Sequence, residues 1–479
     1  ITAGTNRVSY KSIERLNISG TFLNDNIVGN DGNDTLSGGD GGNDTIDGGI
    51  GDDLLTVRFG DPGGGINSTF NATTNIGSIT AGTNRVSYKS IERLNISGTF
   101  LNDNIVGNDS NDTLSGGDGG NDTINGGIGE DLLTVRFGNP TRGITTTFNA
   151  TTNIGLITAG TEDRVSYKNI EQLNISGTSL NDNIVGSNGN DTLSAGDELY
   201  SNYGGNDTLN GGAGNDYLSA KFSDGNNLVD GGDGNDTLFA YGEYNDYQGN
   251  FSLFAISGNN TFNGGAGDDN LVINYSSGNN LLNGDNGNDT LTVSGSASLY
   301  SLYEVYTVSG NNTLNGGAGN DRLIVDYSLG ANLLSGGDGN DTLTASGASG
   351  NNALIGGNGN DYLTGGNGND SLVGGTGPDT FAFNSYNEGV DSIYNFNATN
   401  EIIQVSAASF GGGLSIGTLE TSQFTIGTSA TAIAQRFIYN SATGGLFFDQ
   451  DGSASGFTQV KFAQLSAGLS LTENNFVLV

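Results

Sequence analysis

The residue that carries chemistry in this sequence is aspartate, and it recurs at one place in a glycine-rich nonapeptide. Gly356-Gly357-Asn358-Gly359-Asn360-Asp361-Tyr362-Leu363-Thr364 runs directly into Gly365-Gly366-Asn367-Gly368-Asn369-Asp370-Ser371-Leu372-Val373 and then Gly374-Gly375-Thr376-Gly377-Pro378-Asp379-Thr380-Phe381-Ala382. The pattern is G-G-x-G-x-D-x-U-x, with U large and apolar. Its sixth position holds Asp34, Asp44, Asp53, Asp112, Asp122, Asp131, Asp191, Asp207, Asp216, Asp236, Asp269, Asp289, Asp321, Asp341, Asp361, Asp370 and Asp379. Asp25, Asp103 and Asp182 stand there in degenerate turns such as Gly20-Thr21-Phe22-Leu23-Asn24-Asp25. The glycines permit positive φ and draw backbone carbonyls together, and the aspartate closes the turn with a carboxylate. Stacked turns then surround a gap with oxygen alone. About six to eight oxygen donors suit Ca²⁺ rather than zinc or copper. The candidate metal ligands are the aspartates of the regular turns, Asp34 to Asp379 without Asp103 and Asp182, with Gly356, Asn358, Gly365 and Asn367 of the consecutive nonapeptides.

Those carboxylates need elements that stack them. The D-x-U-x segment reads as a short strand with U pointing inward. Two nonapeptides make a coil of about 18 residues, turn–strand–turn–strand, and successive coils lie about 4.8 Å apart. The nonapeptide resembles the RTX, or haemolysin-type, calcium-binding repeat. That resemblance implies an all-β chain, a right-handed parallel β-helix or β-roll solenoid, closed by a C-terminal β-rich cap.

The pattern changes in an ordered way along the chain. Asn227, Asn260, Asn280, Asn312, Asn332 and Asn352 take the sixth position nine residues before Asp236, Asp269, Asp289, Asp321, Asp341 and Asp361. Successive turns fall on opposite sides of a coil, so the asparagines are expected in one column and the aspartates in the other. An Asn keeps one carbonyl oxygen and loses the charge. The Asn side is expected to hold calcium weakly or not at all, or else to form a hydrogen-bonded amide ladder.

Composition narrows the function classes. The 479 residues include 83 Gly, 15 Lys+Arg and 52 Asp+Glu, for a formal charge of −37, with no Cys, His, Met or Trp. Catalytic triads, thiol chemistry, structural zinc, haem and disulfides are excluded. The charge argues against nucleic acid, and the absence of a long apolar run argues against membrane insertion. Only 34% of the chain is hydrophobic, too little to collapse against such charge without a counter-ion. Binding of Ca²⁺ is therefore expected to drive folding.

Longer repeats set the domain reading. Residues 1–61 and 79–139 differ only at Gly32/Ser110, Asp47/Asn125, Asp52/Glu130 and Asp61/Asn139, a period of 78. Residues 1–78, 79–156 and 157–224 are read as β-helix repeat units, and 225–379 as a roll with 52-residue sub-repeats. The chain opens within a repeat, which suggests a truncation, a processed product or part of a longer array. Segments such as Leu54–Phe59, Asn75–Thr80 and Ile91–Ile96 are expected to form wider coils, and Arg7, Arg85 and Arg164 to pair with nearby acids. The aromatics Tyr241, Tyr244, Tyr247, Phe251, Phe254, Tyr300, Tyr303 and Tyr306 fill an enlarged coil interior or form a binding platform.

Residues 380–479 resemble the C-terminal region of type I-secreted RTX proteins, in Gly377-Pro378-Asp379-Thr380-Phe381, Asp391-Ser392-Ile393-Tyr394-Asn395-Phe396 and the closing Asn475-Phe476-Val477-Leu478-Val479. The family's signal often has an acid where Asn475 stands. The resemblance implies an uncleaved export signal and an extracellular or cell-surface location in a Gram-negative bacterium. Near-identical repeats build length and surface rather than a pocket. The expected function is a secreted structural protein of the surface or extracellular matrix (surface layer, sheath, fibril or adhesin) and not an enzyme. It would self-associate head to tail or laterally, with possible polysaccharide or cell-surface contact. The alternative is the calcium-dependent folding and secretion region of a longer enzyme or toxin.

Overall fold

A strand that buries one side chain and exposes its neighbours is stable only when stacked on others like it. The computed structural model shows such stacks. It describes residues 12–138, 140–196, 205–221, 225–247, 250–254, 256–297, 305–306 and 308–479, together with strands Thr2–Ala3 and Asn6–Arg7. The chain divides into two compact units, Ile1–Leu218 and Ser219–Val479.

In the second unit, Thr261–Ala266, Leu281–Asn286, Thr313–Ala318, Leu333–Asp338, Ala353–Asn358 and Ser371–Thr376 form one parallel sheet. Asn270–Asn274, Thr290–Ser294, Arg322–Asp326, Thr342–Thr344, Tyr362–Thr364 and Thr380–Phe383 form another. Leu363 lies opposite Phe381, and Leu323 opposite Leu343, so each step advances one coil. The inward residues, including Leu282, Leu314, Leu334, Leu323, Leu343 and Leu363, are fully buried. Each contributes about 1.5–3 kcal/mol by leaving water.

The surplus residues of the longer coils leave the roll as antiparallel hairpins, Glu243–Tyr247 with Asn250–Phe254 and Ser296–Ala297 with Val305–Tyr306. The side chains of Tyr244, Tyr247, Phe251, Phe254, Tyr300, Tyr303 and Tyr306 lie outside the described residues. Tyr241 stacks on Phe239 at 5.5 Å, and Lys221 Nζ sits 4.8 Å from its ring centre.

In the first unit, one sheet is parallel throughout, from Asn17–Ser19 through Leu54–Val57 and Arg93–Ser97 to Thr192–Ser194. The other corrects the expectation of wider coils. Ile66–Asn71, Ile76–Ala81 and Asn84–Lys89 form an antiparallel meander, repeated at Thr145–Asn149, Ile154–Ala159 and Asp163–Lys168. Tight turns cause the reversals. Asn71 Oδ1 accepts from the Thr73 and Thr74 amides, and Asn75 and Gly82 take positive φ of 48° and 58°. Asn84–Lys89 then rejoins Asn43–Asp47 in parallel. At the other edge of the meander, buried Ser68 bridges to Val106, its Oγ donating to the carbonyl at 2.9 Å and accepting from the amide. Thr146 does the same for Val185. Arg85 departs from the expected acid pairing: its Nε donates to Ser78 Oγ at 3.2 Å. Lys89 pairs with Asp47 and Arg93 with Asp52, both at 2.9 Å.

Beyond Asp379 both sheets of the second unit continue and close. Asp391–Tyr394 extends one in parallel, and Val460–Gln464, Gly445–Phe448 and Phe437–Asn440 complete it, the last two antiparallel. Ile402–Val405 and the terminal Phe476–Leu478 extend the other. The cap core is aromatic: Phe410 meets Phe448 at 5.0 Å, Phe462 at 5.5 Å and Phe437 at 5.9 Å.

Candidate metal centre: columns of turns

The aspartates of the second unit form one column. The backbone N–H of Asp236 donates to Asp269 Oδ1, Asp269 to Asp289, Asp289 to Asp321, Asp321 to Asp341, Asp341 to Asp361 and Asp361 to Asp379, at 2.7–3.0 Å. Each carboxylate thus spends one oxygen on the turn of the preceding coil. The second oxygen of Asp269, Asp289, Asp321, Asp341, Asp361 and Asp379 is buried without a hydrogen-bond partner. It points into the space left by the first glycine of its own turn. A methyl group on Gly284 would strike Asp289 Oδ2 and lie 2.6 Å from the Gly316 carbonyl oxygen of the next coil. Gly356 stands the same way to Asp361 Oδ2 and the Gly374 carbonyl, and Gly365 to Asp370 Oδ2. Asn358 and Asn367 are exposed. The Asn358 side chain donates to Asp338 Oδ1 and accepts from Thr376, while its carbonyl accepts from the Gly339 amide.

The first unit has a column on each side. Asp34 donates to Asp53 Oδ1, Asp112 to Asp131 and Asp191 to Asp216 on one side; Asp25 donates to Asp44, Asp103 to Asp122 and Asp182 to Asp207 on the other. All the nonapeptide aspartates are buried except Asp25, which is half-buried. Glu92 and Glu171, not singled out by the motif, continue the first column where the meander interrupts the turns. They accept from the Asp53 and Asp131 amides at 3.0 Å.

The asparagines of the second unit form the opposite column. Their backbone amides follow the same rule, from Asn227 to Asn260 and onward to Asn352, at 3.0–3.3 Å. Their side-chain amides add a second rail. Nδ2 of Asn227, Asn260, Asn280, Asn312 and Asn332 donates to Oδ1 of the next asparagine at 2.8–3.0 Å. The amide ladder anticipated as one alternative is therefore present. The column turns acidic at its end, where Asn352 donates to Asp370 Oδ1 and Asp370 to Asp391 Oδ1.

Sequence reasoning missed the fifth position. Its asparagines are exposed and run a ladder in the opposite sense. Asp268, Asn288, Asn320, Asn340 and Asn360 each donate a backbone N–H to the fifth-position side chain of the preceding coil, at 2.7–2.9 Å. The recurrent Asn-Asp dipeptide was the available signal.

The donor set fits a hard cation. Burial pushes the carboxyls of Asp269 and Asp321 up to about 7 and those of Asp289 and Asp361 up to about 6, and neighbouring carboxylates add to the rise. Burial takes Asp122 to about 8 and Asp112 to about 7 in the first unit. Such groups are costly to ionise without a counter-charge. Among the described residues, no three carboxylates converge in a way that could hold an ion. A cation in these turns would therefore meet one orphaned carboxylate oxygen beside turn carbonyls, an all-oxygen set suited to Ca²⁺ and unlike a zinc site.

Comparison with known proteins agrees with that chemistry. No curated protein matches the chain. Among solved structures, the extracellular lipase LipA from Serratia marcescens matches with 20% identity and a TM-score of 0.16, over 56% of this chain and 40% of the lipase chain. The chain thus spans about two fifths of the length of that protein. The RTX calcium-binding nonapeptide repeat matches at residues 19–55, 39–61, 97–133, 117–141, 176–198, 203–221, 223–243, 254–272, 276–295, 306–326, 328–348 and 346–381. These segments cover more than half of the sequence and contain every buried nonapeptide aspartate, so the chain belongs to the RTX family of calcium-binding nonapeptide-repeat proteins.

Proposed function

We propose that this protein is a secreted structural component of a cell surface or extracellular matrix that folds, and then assembles, on binding Ca²⁺. The observation that carries the reading is the repeated column of buried carboxylates, each with an oxygen left over. Without a cation these columns repel and resist ionisation, and strands that bury one or two aliphatic side chains each supply little apolar burial to offset them. Binding free energy then becomes folding free energy. Extracellular calcium modules bind with Kd on the order of 10⁻⁴–10⁻³ M. A chain of this kind stays unfolded at low calcium, crosses an export channel and folds outside. The C-terminal region 380–479 serves as the type I export signal in this reading. Among the described residues no helix is long and apolar enough to cross a membrane.

The near-identity of residues 1–61 and 79–139 supports a role in which length and repeated surface matter. Electron microscopy in millimolar calcium, with a chelated control, tests it. Ordered filaments or sheets that dissolve on chelation are expected. Dispersed single particles in calcium would overturn the assembly role and favour a folding and export region of a longer protein.

A further inference from the structure

The two edges of the second unit solve the same problem differently. On the aspartate edge, glycines at the second and fourth turn positions hold left-handed backbone: φ is 110° and 131° at Gly265 and Gly267, 115° and 139° at Gly317 and Gly319, and 114° and 135° at Gly337 and Gly339. On the asparagine edge, Gly258, Gly278, Gly310, Gly330 and Gly350 stand at the fourth position without positive φ. The difference follows the residues and not the edge. Asp370 stacks directly on Asn352, yet its turn carries Gly366 and Gly368 at 85° and 133°.

The amide nitrogen of each asparagine is fully used. Besides its bond to the next coil, Nδ2 donates to the glycine carbonyl two residues earlier in its own turn: Gly258 for Asn260, Gly278 for Asn280, Gly310 for Asn312 and Gly330 for Asn332, at 2.9–3.1 Å. In this column an N–H lies against the turn carbonyl. Among the described residues of the ladder from Asn227 to Asn332, no charge is buried and no side-chain oxygen is orphaned. An Asp at the same place can donate nothing, and its second oxygen stays unmatched.

We infer that the asparagine edge from Asn227 to Asn332 is a calcium-free edge, in which the side-chain amide does internally what Ca²⁺ does on the aspartate edge, so that this stretch of the roll is metallated along one side only. The inference rests on the calcium reading of the aspartate columns. In the folded roll one edge is thereby held by neutral hydrogen bonds and the other by metal.

Calcium bound per full-length chain, counted by equilibrium dialysis and elemental analysis at saturating calcium, tests it. Asn312→Ala with Asn332→Ala should leave the count unchanged, whereas Asp321→Asn with Asp341→Asn should lower it by at least one ion. Ala348→Gly with Asn352→Asp completes the nonapeptide turn beside Asp370 and should add one ion. Loss of calcium in the double Ala variant would overturn the inference, since the amides would then be ligands. No gain with Ala348→Gly/Asn352→Asp would overturn the equivalence of amide and cation. An unchanged count in the double Asp variant would instead defeat the calcium reading of the aspartate edge. Circular dichroism in calcium establishes that each variant is folded before its ions are counted.

Discussion

In the roll of residues 225–379 a strand buries one or two aliphatic side chains, such as Leu343 alone or Leu323 with Val325, between turns that also bury carboxylates. In the cap that follows, Phe410 alone packs against Tyr386, Phe437, Phe448 and Phe462. Aromatic side chains bury roughly 150–250 Å² each, so the cap carries its own apolar core. The roll replaces that core with repeated oxygen sites. The same two sheets run through both regions, and only the source of cohesion changes. A soluble fold can be held by what it excludes from water or by what it collects from it, and this chain does both in succession.

The sharpest way to break that contrast is to remove calcium. With excess chelator at neutral pH, most of the β signal in far-ultraviolet circular dichroism should disappear, while near-ultraviolet aromatic signals from the cap survive. Simultaneous loss of both would show that the cap has no cohesion of its own.

A smaller, graded effect is expected from acid. In the metal-free fold burial raises the carboxyls of Asp289, Asp361, Asp269 and Asp321 from 3.8 to between about 6 and 7. The folded chain then binds more protons than the unfolded one across roughly pH 4 to 7, so its metal-free stability falls as pH rises through that window. Calcium-free protein at pH 5 should recover β signal that is missing at pH 8. Equal spectra at both values would sever roll stability from these carboxyls.

The smallest effect concerns one residue of the cap. Asn475 Nδ2 donates to the carbonyls of Ala398 and Glu401 at 2.9 and 3.2 Å, and its Oδ1 accepts from the Thr472 amide. Asn475→Asp removes both donations in a buried setting and should cost about 1–3 kcal/mol. Thermal melting of the near-ultraviolet signal measures it, and an unchanged midpoint would mean that the cap tolerates an acid there.

The Asp and Leu columns were legible because one spacing serves both: the turn glycines, the carboxylate and the inward leucine recur together. The split of Asn and Asp turns onto opposite edges followed from the same nine-residue step. The meander was not legible. Ile76–Ala81 alternates like any coil strand, and its reversal depends on local turn chemistry at Asn71, Asn75 and Gly82. Glu92 and Glu171 escaped notice because their place in the column is set by three-dimensional register and not by motif. At Asn475 the sequence showed a departure from the family pattern, but its two donated hydrogen bonds require the folded cap to be seen.

The opposed ladders of the Asn-Asp dipeptide bear on heredity. Through its fifth residue a coil accepts from the coil after it, and through its sixth from the coil before it. Any coil therefore offers both neighbours the same groups. A gene segment duplicated in place would encode a coil that fits at once, with no compensating change elsewhere. Length in such a protein is a trait that copying errors can lengthen or shorten in whole steps, and two stretches that differ at four positions in 61 are the kind of record such a step leaves.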